Sequence, residues 1–197
     1  LEDVKNFFFK FYRPANAIMV LAGNVTVEKA RELAEKWFAD IPSGEKYNRN
    51  LPVESPQNEE RRMTIKANVP LDAFYKSWHI ADRLDKRYYI ADLLSEILSG
   101  GGSSRLYQSL VKEKQLFSNI ECHHFGSTDA GLLAIEGKLV RGVKMEEAEK
   151  AVEEVLQGLK DEPVMEIELQ KVKNKTESMI AFEDMSVMNR ANSLAYY

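Results

Sequence analysis

The segment from Ser43 to Arg62 carries almost no large apolar side chains, and it divides the sequence into two parts. It contains Gly44, two prolines and three asparagines, together with the paired glutamates Glu59 and Glu60. Such a segment has too little apolar surface to build a core, and its composition is typical of loops. We therefore predict an interdomain linker over residues 43–62. Residues 1–42 would then be the last strand and helix of a preceding domain, and residues 63–197 most of a second domain.

Composition excludes several classes of protein. The 197 residues are 44% hydrophobic and 29% charged, which is enough apolar material for a packed core. The net charge is −4 and no basic cluster is present, so nucleic acid is not an expected partner. No apolar run approaches the roughly 20 residues that cross a bilayer, so no membrane segment is expected.

The first residues do not resemble a targeting signal, because Leu1-Glu2-Asp3 lacks a basic region followed by an apolar stretch. The chain begins without a start methionine, and we interpret it as a segment of a longer protein. Its localisation stays open, and bacterial periplasm and cytoplasm are both compatible with the sequence.

In the first part, an aromatic amphipathic helix ends before Pro14, and the apolar run Ala17–Ala22 predicts a strand buried on both faces. Thr26 can cap the next helix, whose apolar residues recur at three- and four-residue steps up to Phe38.

The second part predicts an α+β fold, a two-layer roll with an antiparallel sheet. Segments 63–69 and 73–80 alternate like two paired strands, and the second places Phe74, Lys76, Trp78 and Ile80 on one side. A helix follows Asp85 and ends at Gly100, and Ser103 or Ser104 can cap another. A hairpin over 117–125 and 132–140 precedes two further helices.

The histidines do not form a recognisable metal site. His123 and His124 are neighbours in a predicted strand, so their side chains point to opposite faces, and His79 lies far from them in the sequence. A peptidase zinc site needs two histidines on one helix face and a glutamate, as in His-x-x-Glu-His, which the sequence lacks. We predict no metal ligands and no cofactor in this chain.

No catalytic residue is predicted either. Cys122, the single cysteine, lacks a base on its own strand face, and Ser103 and Ser104 lack a nucleophile-elbow motif. The run Gly100-Gly101-Gly102 follows a helix and has no phosphate-loop spacing, so a helix stop is the simplest interpretation.

Two segments resemble the pitrilysin/insulinase family of zinc metallopeptidases, the inverzincins. Residues 11–17 (Phe-Tyr-Arg-Pro-Ala-Asn-Ala), with the strand and helix ending in Phe38-Ala39-Asp40-Ile41-Pro42, resemble the end of that family's first domain. Residues 98–108, with Gly100-Gly101-Gly102 and Ser104-Arg105-Leu106, resemble the glycine break and helix of its second, non-metal-binding domain. The resemblance implies the family's two-layer roll, similar to LuxS and mitochondrial processing peptidase.

The resemblance also implies a function. Family members enclose an unfolded peptide between two halves, with zinc on another domain or on a partner chain. This chain would then be the non-catalytic, substrate-enclosing part of a zinc-dependent metalloendopeptidase. The parent would use zinc, and the partners would be an upstream zinc-binding domain or an active chain, together with a peptide substrate.

The substrate contacts implied by the resemblance lie near the second motif. Lys112 occupies the place of a family arginine, Asn119 that of a tyrosine seven residues later, and Arg105 lies in the preceding helix. Lysine lacks the planar fork of arginine and asparagine lacks a phenol, so the pattern is matched only in part.

Three alternatives stay open at this point. The chain could be an inactive partner subunit or structural scaffold, or an unrelated α+β binding module. Residues 17–38 could also complete the second domain, or be exchanged between two chains of a homodimer.

Overall fold

The computed structural model describes residues 1–48, 50–52 and 54–197, which form two compact units. Unit 1 contains residues 1–63 and 178–197, and unit 2 contains residues 64–177. The predicted linker includes Arg49 and Val53, which lie outside the described residues. Its described residues are exposed, carry no helix or strand, and group with unit 1.

Unit 1 is helical. It contains α1 (Glu2–Phe11), a short 3-10 helix (Pro14–Asn16), α2 (Val27–Phe38) and α6 (Val187–Tyr196), and none of these has a buried residue. Thr26 caps α2 as predicted, since its hydroxyl accepts a hydrogen bond from the Lys29 amide.

Two predicted strands are not strands in the structure. Residues 17–22 and 63–69 have no regular secondary structure, and Ile18, Met63 and Ile65 are exposed. A strand needs a neighbour to accept its backbone hydrogen bonds, and no such neighbour pairs with either segment in the described part of the chain. The apolar run at 17–22 and the alternation at 63–69 were therefore insufficient signals for a strand.

Unit 2 is built on a three-stranded antiparallel sheet in the order β1-β3-β2. The strands are β1 (Ala73–Ile80), β2 (Phe117–Phe125) and β3 (Gly131–Leu139). The β2–β3 hairpin is confirmed. The partner of β1 is β3, which lies more than fifty residues later, and not segment 63–69.

Helices cover one face of this sheet. They are α3 (Lys86–Ser99), a π-helix (Tyr107–Glu113) and α4 (Met145–Asp161). The first part of α5 (Glu166–Glu183) also belongs to unit 2, and its last residues belong to unit 1. The core consists of apolar side chains from the sheet and these helices, among them Leu98, Leu106, Leu110, Phe117, Ile135, Leu139 and Val152. The predicted α+β class is confirmed.

Local signals explain the boundaries of α3. The Asp85 carboxylate accepts a hydrogen bond from the Arg87 amide, and Gly100 follows the last residue. The apolar residues of α3 are only partly buried, because Ile97 and Leu98 are inside whereas Ile90 is exposed.

Candidate functional site

The first implied substrate contact, Lys112, lies in the last turn of the π-helix. Its side chain is exposed, and Nζ lies 5.6 Å from the centre of the Tyr107 ring. Single-turn π-helical segments widen the helix and are frequent at functional sites. The structure thus places Lys112 on an irregular and accessible helix.

The second implied contact, Asn119, lies near the start of β2. It is exposed and is paired with Lys138 of β3, next to an irregularity in the register between Phe117 and Asn119. Such bulges redirect side chains at the end of a strand. No hydrogen bond among the described residues joins Lys112 to Asn119.

The third implied contact, Arg105, is engaged in an ion pair. Its Nε donates to Oε1 of Glu168 at 2.9 Å, and its Nη2 donates to Oε2 at 2.7 Å. The Glu168 hydrogen bonds raise the pKa of Arg105, and the Arg105 hydrogen bonds lower the pKa of Glu168. This bidentate contact fixes α5 to the helical residues Arg105 and Leu106, which lead directly into the π-helix. A substrate role for Arg105 stays a prediction.

The turn between the π-helix and β2 contains an unusual backbone conformation. Gln115 has a φ of 52°, in the left-handed region that glycine favours. The amide of Leu116 donates to the carbonyl of Leu110 at 2.9 Å, and Leu116 is buried. This turn sets the direction in which the chain leaves Lys112 and enters β2.

On the outer edge of β2, the backbone of Cys122 is hydrogen-bonded to Ser99 of α3. The amide of Cys122 donates to the Ser99 hydroxyl oxygen at 2.8 Å, and the Ser99 hydroxyl lies 3.1 Å from the carbonyl oxygen of Cys122. Both backbone groups of Cys122 that point away from β3 are therefore occupied. An added strand cannot pair with β2 at this residue without displacing Ser99.

The Cys122 side chain itself is buried, and burial raises the pKa of its thiol to about 12. A thiol with such a pKa is protonated at neutral pH and is a poor nucleophile. Cys122 is therefore part of the apolar core of unit 2.

His123 and His124 point to opposite faces of the sheet, as predicted. His124 is largely buried, with Nδ1 3.6 Å from Oδ1 of Asp92 and its ring 4.4 Å from that of Tyr88. His123 lies on the other face, where Nε2 is 3.0 Å from Oε1 of Glu136 and 3.3 Å from Oε2 of Glu121.

The cluster of Glu121, His123 and Glu136 was missed by the sequence analysis, which searched for paired histidines. The spacing Glu-x-His within one predicted strand was a usable signal for two of its members, but Glu136 joins them only through the β2–β3 register. The prediction that this chain has no metal ligands is therefore not tested by the structure.

Comparison with known proteins shows similarity to a peptidase inactive domain and to zinc proteases. The sequence model of the peptidase M16 inactive domain matches residues 1–176. The zinc protease PqqE of Helicobacter pylori is 28% identical over 176 residues, which cover 88% of this chain and 40% of that protein. The uncharacterised zinc protease YmxG of Bacillus subtilis is 23% identical over 174 residues, covering 88% and 41% respectively.

Solved structures agree in fold. A protease from Helicobacter pylori has a TM-score of 0.81 at 25% identity, covering 100% of this chain and 48% of that chain. A peptidase M16 inactive domain from Pseudomonas fluorescens has a TM-score of 0.66 at 17% identity, covering 88% and 41%. The chain thus spans less than half the length of these relatives.

Proposed function

The chain belongs to the peptidase M16 inactive-domain family, and from this we propose that it is the substrate-enclosing part of a zinc-dependent metalloendopeptidase. The single observation that carries the proposal is that helices cover one face of the sheet in unit 2, while the other face carries exposed polar and aromatic side chains. An open sheet face is a suitable wall for a chamber that holds an extended peptide.

The catalytic zinc of such a peptidase does not fit the residues of this chain. The sequence contains no His-x-x-Glu-His, and His123 and His124 lie on opposite faces of one strand. We infer that another part of the parent, or an active partner chain, holds that zinc and performs the hydrolysis. The residues of this chain then contribute binding and orientation.

The outer edge of β1 is the place we propose for backbone pairing with the peptide. No strand in the described part of the chain pairs with that edge, whereas Ser99 occupies the edge of β2 at Cys122. Added strands gain main-chain hydrogen bonds that do not depend on the peptide sequence. This would allow many unfolded peptides to bind.

Lys112 and Asn119 are the side chains we propose as direct peptide contacts, because both are exposed near the turn that leads into β2. Lys112 would supply a positive charge to a carbonyl or carboxylate, and Asn119 an amide donor and acceptor. Arg105, held by Glu168, would contribute by positioning the helix that carries Lys112.

For the domain organisation, we propose that residues 1–42 end a preceding domain, that 43–62 link it to the next, and that 63–197 form most of the second. The apolar groove of about 370 Å³ between residues 19–25 and α2 supports this, since Leu21, Trp37 and Phe38 line it and are exposed. Such a groove is a suitable contact for the rest of a preceding domain.

The same exposed apolar residues favour the second candidate function, an inactive partner subunit or scaffold. Phe7, Phe8 and Phe9 of α1 are each more than half exposed. A scaffold would bind another chain through these surfaces, or a second copy of itself, and would have no affinity for free peptide.

Fluorescence anisotropy with a labelled unfolded peptide can separate the two functions. The whole chain should bind the peptide without hydrolysing it, with or without added zinc. A peptide of the same side chains with N-methylated amides should bind more weakly, because it lacks backbone donors. Lys112→Ala and Asn119→Ala should weaken binding, whereas Lys173→Ala, an exposed lysine on α5, should not.

Equal binding of the normal and N-methylated peptides would rule out edge pairing. Absence of any peptide binding, together with self-association or capture of the zinc-binding chain, would favour the scaffold. Hydrolysis by the chain alone would contradict both functions.

A further inference from the structure

Three potential ligand atoms meet on the exposed face of the sheet. Nε2 of His123 lies 3.0 Å from Oε1 of Glu136 and 3.3 Å from Oε2 of Glu121. One ligand atom from each residue lies within 4.8 Å of the other two. The three residues come from adjacent strands, so the sheet itself fixes their backbones.

The register explains why they meet. Glu121 of β2 is the direct partner of Glu136 of β3. His123 lies two residues after Glu121, so it projects from the same face of β2. The His123 ring also lies 5.6 Å from the Phe125 ring on that face.

The charges of the cluster are unbalanced. Like charges directly opposite each other on paired strands destabilise a sheet. Within the described part of the chain, neither Glu121 nor Glu136 forms an ion pair with a lysine or arginine. A protonated imidazole would supply one positive charge against two carboxylates, whereas a divalent cation supplies two.

Two of the three distances between the ligand atoms match a tetrahedral ion. Zinc bonds of about 2.0–2.1 Å to nitrogen and oxygen place neighbouring tetrahedral ligands about 3.3 Å apart. The two separations from Nε2, 3.0 Å and 3.3 Å, are close to this edge length, and the two carboxylate oxygens lie within 4.8 Å of each other. One imidazole with two carboxylates favours zinc over magnesium and calcium, which prefer oxygen alone.

We propose that Glu121, His123 and Glu136 bind one divalent cation of the zinc class, with water completing its coordination. This replaces the expectation from sequence that the chain has no metal ligands. The side chains are 35–55% exposed, so an ion can reach them from solvent. A bound ion would connect β2 to β3 on the sheet face opposite α3 and α4, and would stabilise the folded sheet.

Calorimetric titration of zinc chloride into the whole untagged chain, first dialysed against a chelator, tests the proposal. One zinc per chain should bind, and zinc should raise the thermal unfolding temperature. Mutation of a residue that hydrogen-bonds to a metal ligand lowers metal affinity about 10–100-fold. Loss of a ligand itself should therefore lower zinc affinity at least about tenfold. His123→Ala, Glu121→Gln and Glu136→Gln should each show this loss.

His79→Ala is the matched control. His79 lies on the same sheet face as His123. It is paired with Leu132 of β3, whereas His123 is paired with Ala134, two residues later in that strand. It should bind zinc like the unmodified chain, and circular dichroism should show that every variant is folded. The proposal is overturned if the unmodified chain binds no zinc, if the three cluster variants bind it equally well, or if His79→Ala loses it. Tighter binding of calcium than of zinc would overturn the ion assignment.

Discussion

Arg105 and Glu168 are joined by two hydrogen bonds of 2.9 Å and 2.7 Å, although 63 positions separate them in the sequence. Both side chains are less than a quarter exposed. The contact links the helix after the glycine break to α5. The contact is therefore a feature of the tertiary fold that no local sequence pattern predicts.

Glu168→Gln should lower the free energy of unfolding of unit 2 by about 1–2 kcal/mol near pH 7, because it removes a charge-assisted bidentate contact. Urea unfolding can be followed by Trp78 fluorescence in a Trp37→Phe background, since the chain has two tryptophans and Trp78 lies in unit 2. Glu154→Gln, which alters an exposed pair with Lys114, should have a small effect.

The effect of Glu168→Gln should depend on pH. Arg105 lowers the pKa of Glu168 below its ordinary value of 4.5, so the stabilisation is fully present above 4.5. It is lost as the pH falls through the lower folded-state pKa, and the two proteins should then approach equal stability. A difference that stays constant on acidification would show that the ion pair does not contribute.

Cys122 should resist alkylation in the folded chain. A pKa of about 12 in place of 9.0 lowers the thiolate fraction near pH 8 roughly a thousandfold, and burial slows access further. Mass spectrometry after iodoacetamide treatment should show slow modification in buffer and rapid modification in urea. Equal rates in both would contradict the buried placement.

The raised pKa of Cys122 also makes stability depend on pH. Stability should fall as the pH rises, whereas the lowered pKa of Glu168 makes it fall as the pH drops. Since the folded-state pKa of Cys122 is raised, its contribution is fully present below 9.0 and is lost as the pH rises towards about 12. Cys122→Ala should therefore lose less stability than the unmodified chain over this range, as measured by urea unfolding at stepped pH.

Ser99→Ala should destabilise unit 2 by about 1–3 kcal/mol, because it leaves the amide and carbonyl of Cys122 without their partner. Ser77→Ala, an exposed serine of β1, is the control and should change little. Hydrogen exchange adds a specific readout: the Cys122 amide should exchange faster in Ser99→Ala. Unchanged protection of that amide would show that another group covers the edge of β2.

Local patterns predicted the elements whose signals lie within a few residues. Asp85 and Gly100 delimit α3, and the strand character of 117–125 and 132–140 predicted the hairpin, because caps and tight turns act through neighbouring backbone. The apolar run 17–22 and the alternating segment 63–69 predicted strands that are absent among the described residues, because strand pairing depends on distant partners.

The candidate site was predictable only in part for the same reason. The resemblance located Lys112 and Asn119, which are exposed, but it could not show that Arg105 is held by Glu168. The cluster at Glu121 and Glu136 depends on the register of β2 against β3. A one-residue slip of one strand would move its side chains to the opposite face of the sheet and would separate the cluster.

Two glycine-to-alanine substitutions should change stability in opposite directions. A Cβ at Gly137 of β3 would lie 2.7 Å and 2.9 Å from ring atoms of Phe117 and 3.2 Å from the carbonyl oxygen of Asn119. Phe117 is only 1% exposed, so its ring has little room to move. Gly137→Ala should therefore destabilise unit 2 by about 1–3 kcal/mol, as overpacking does in other cores.

Gly158 of α4 provides the matched control, since a Cβ there would meet no atom within 4 Å. Glycine within a helix costs about 0.5–1 kcal/mol relative to alanine, so Gly158→Ala should stabilise unit 2 by about that amount. Urea unfolding followed by Trp78 fluorescence measures both variants under identical conditions. A neutral or stabilising effect of Gly137→Ala would contradict the close packing of the Phe117 ring against Gly137. It would also contradict the β2–β3 register, which places Glu136 beside His123.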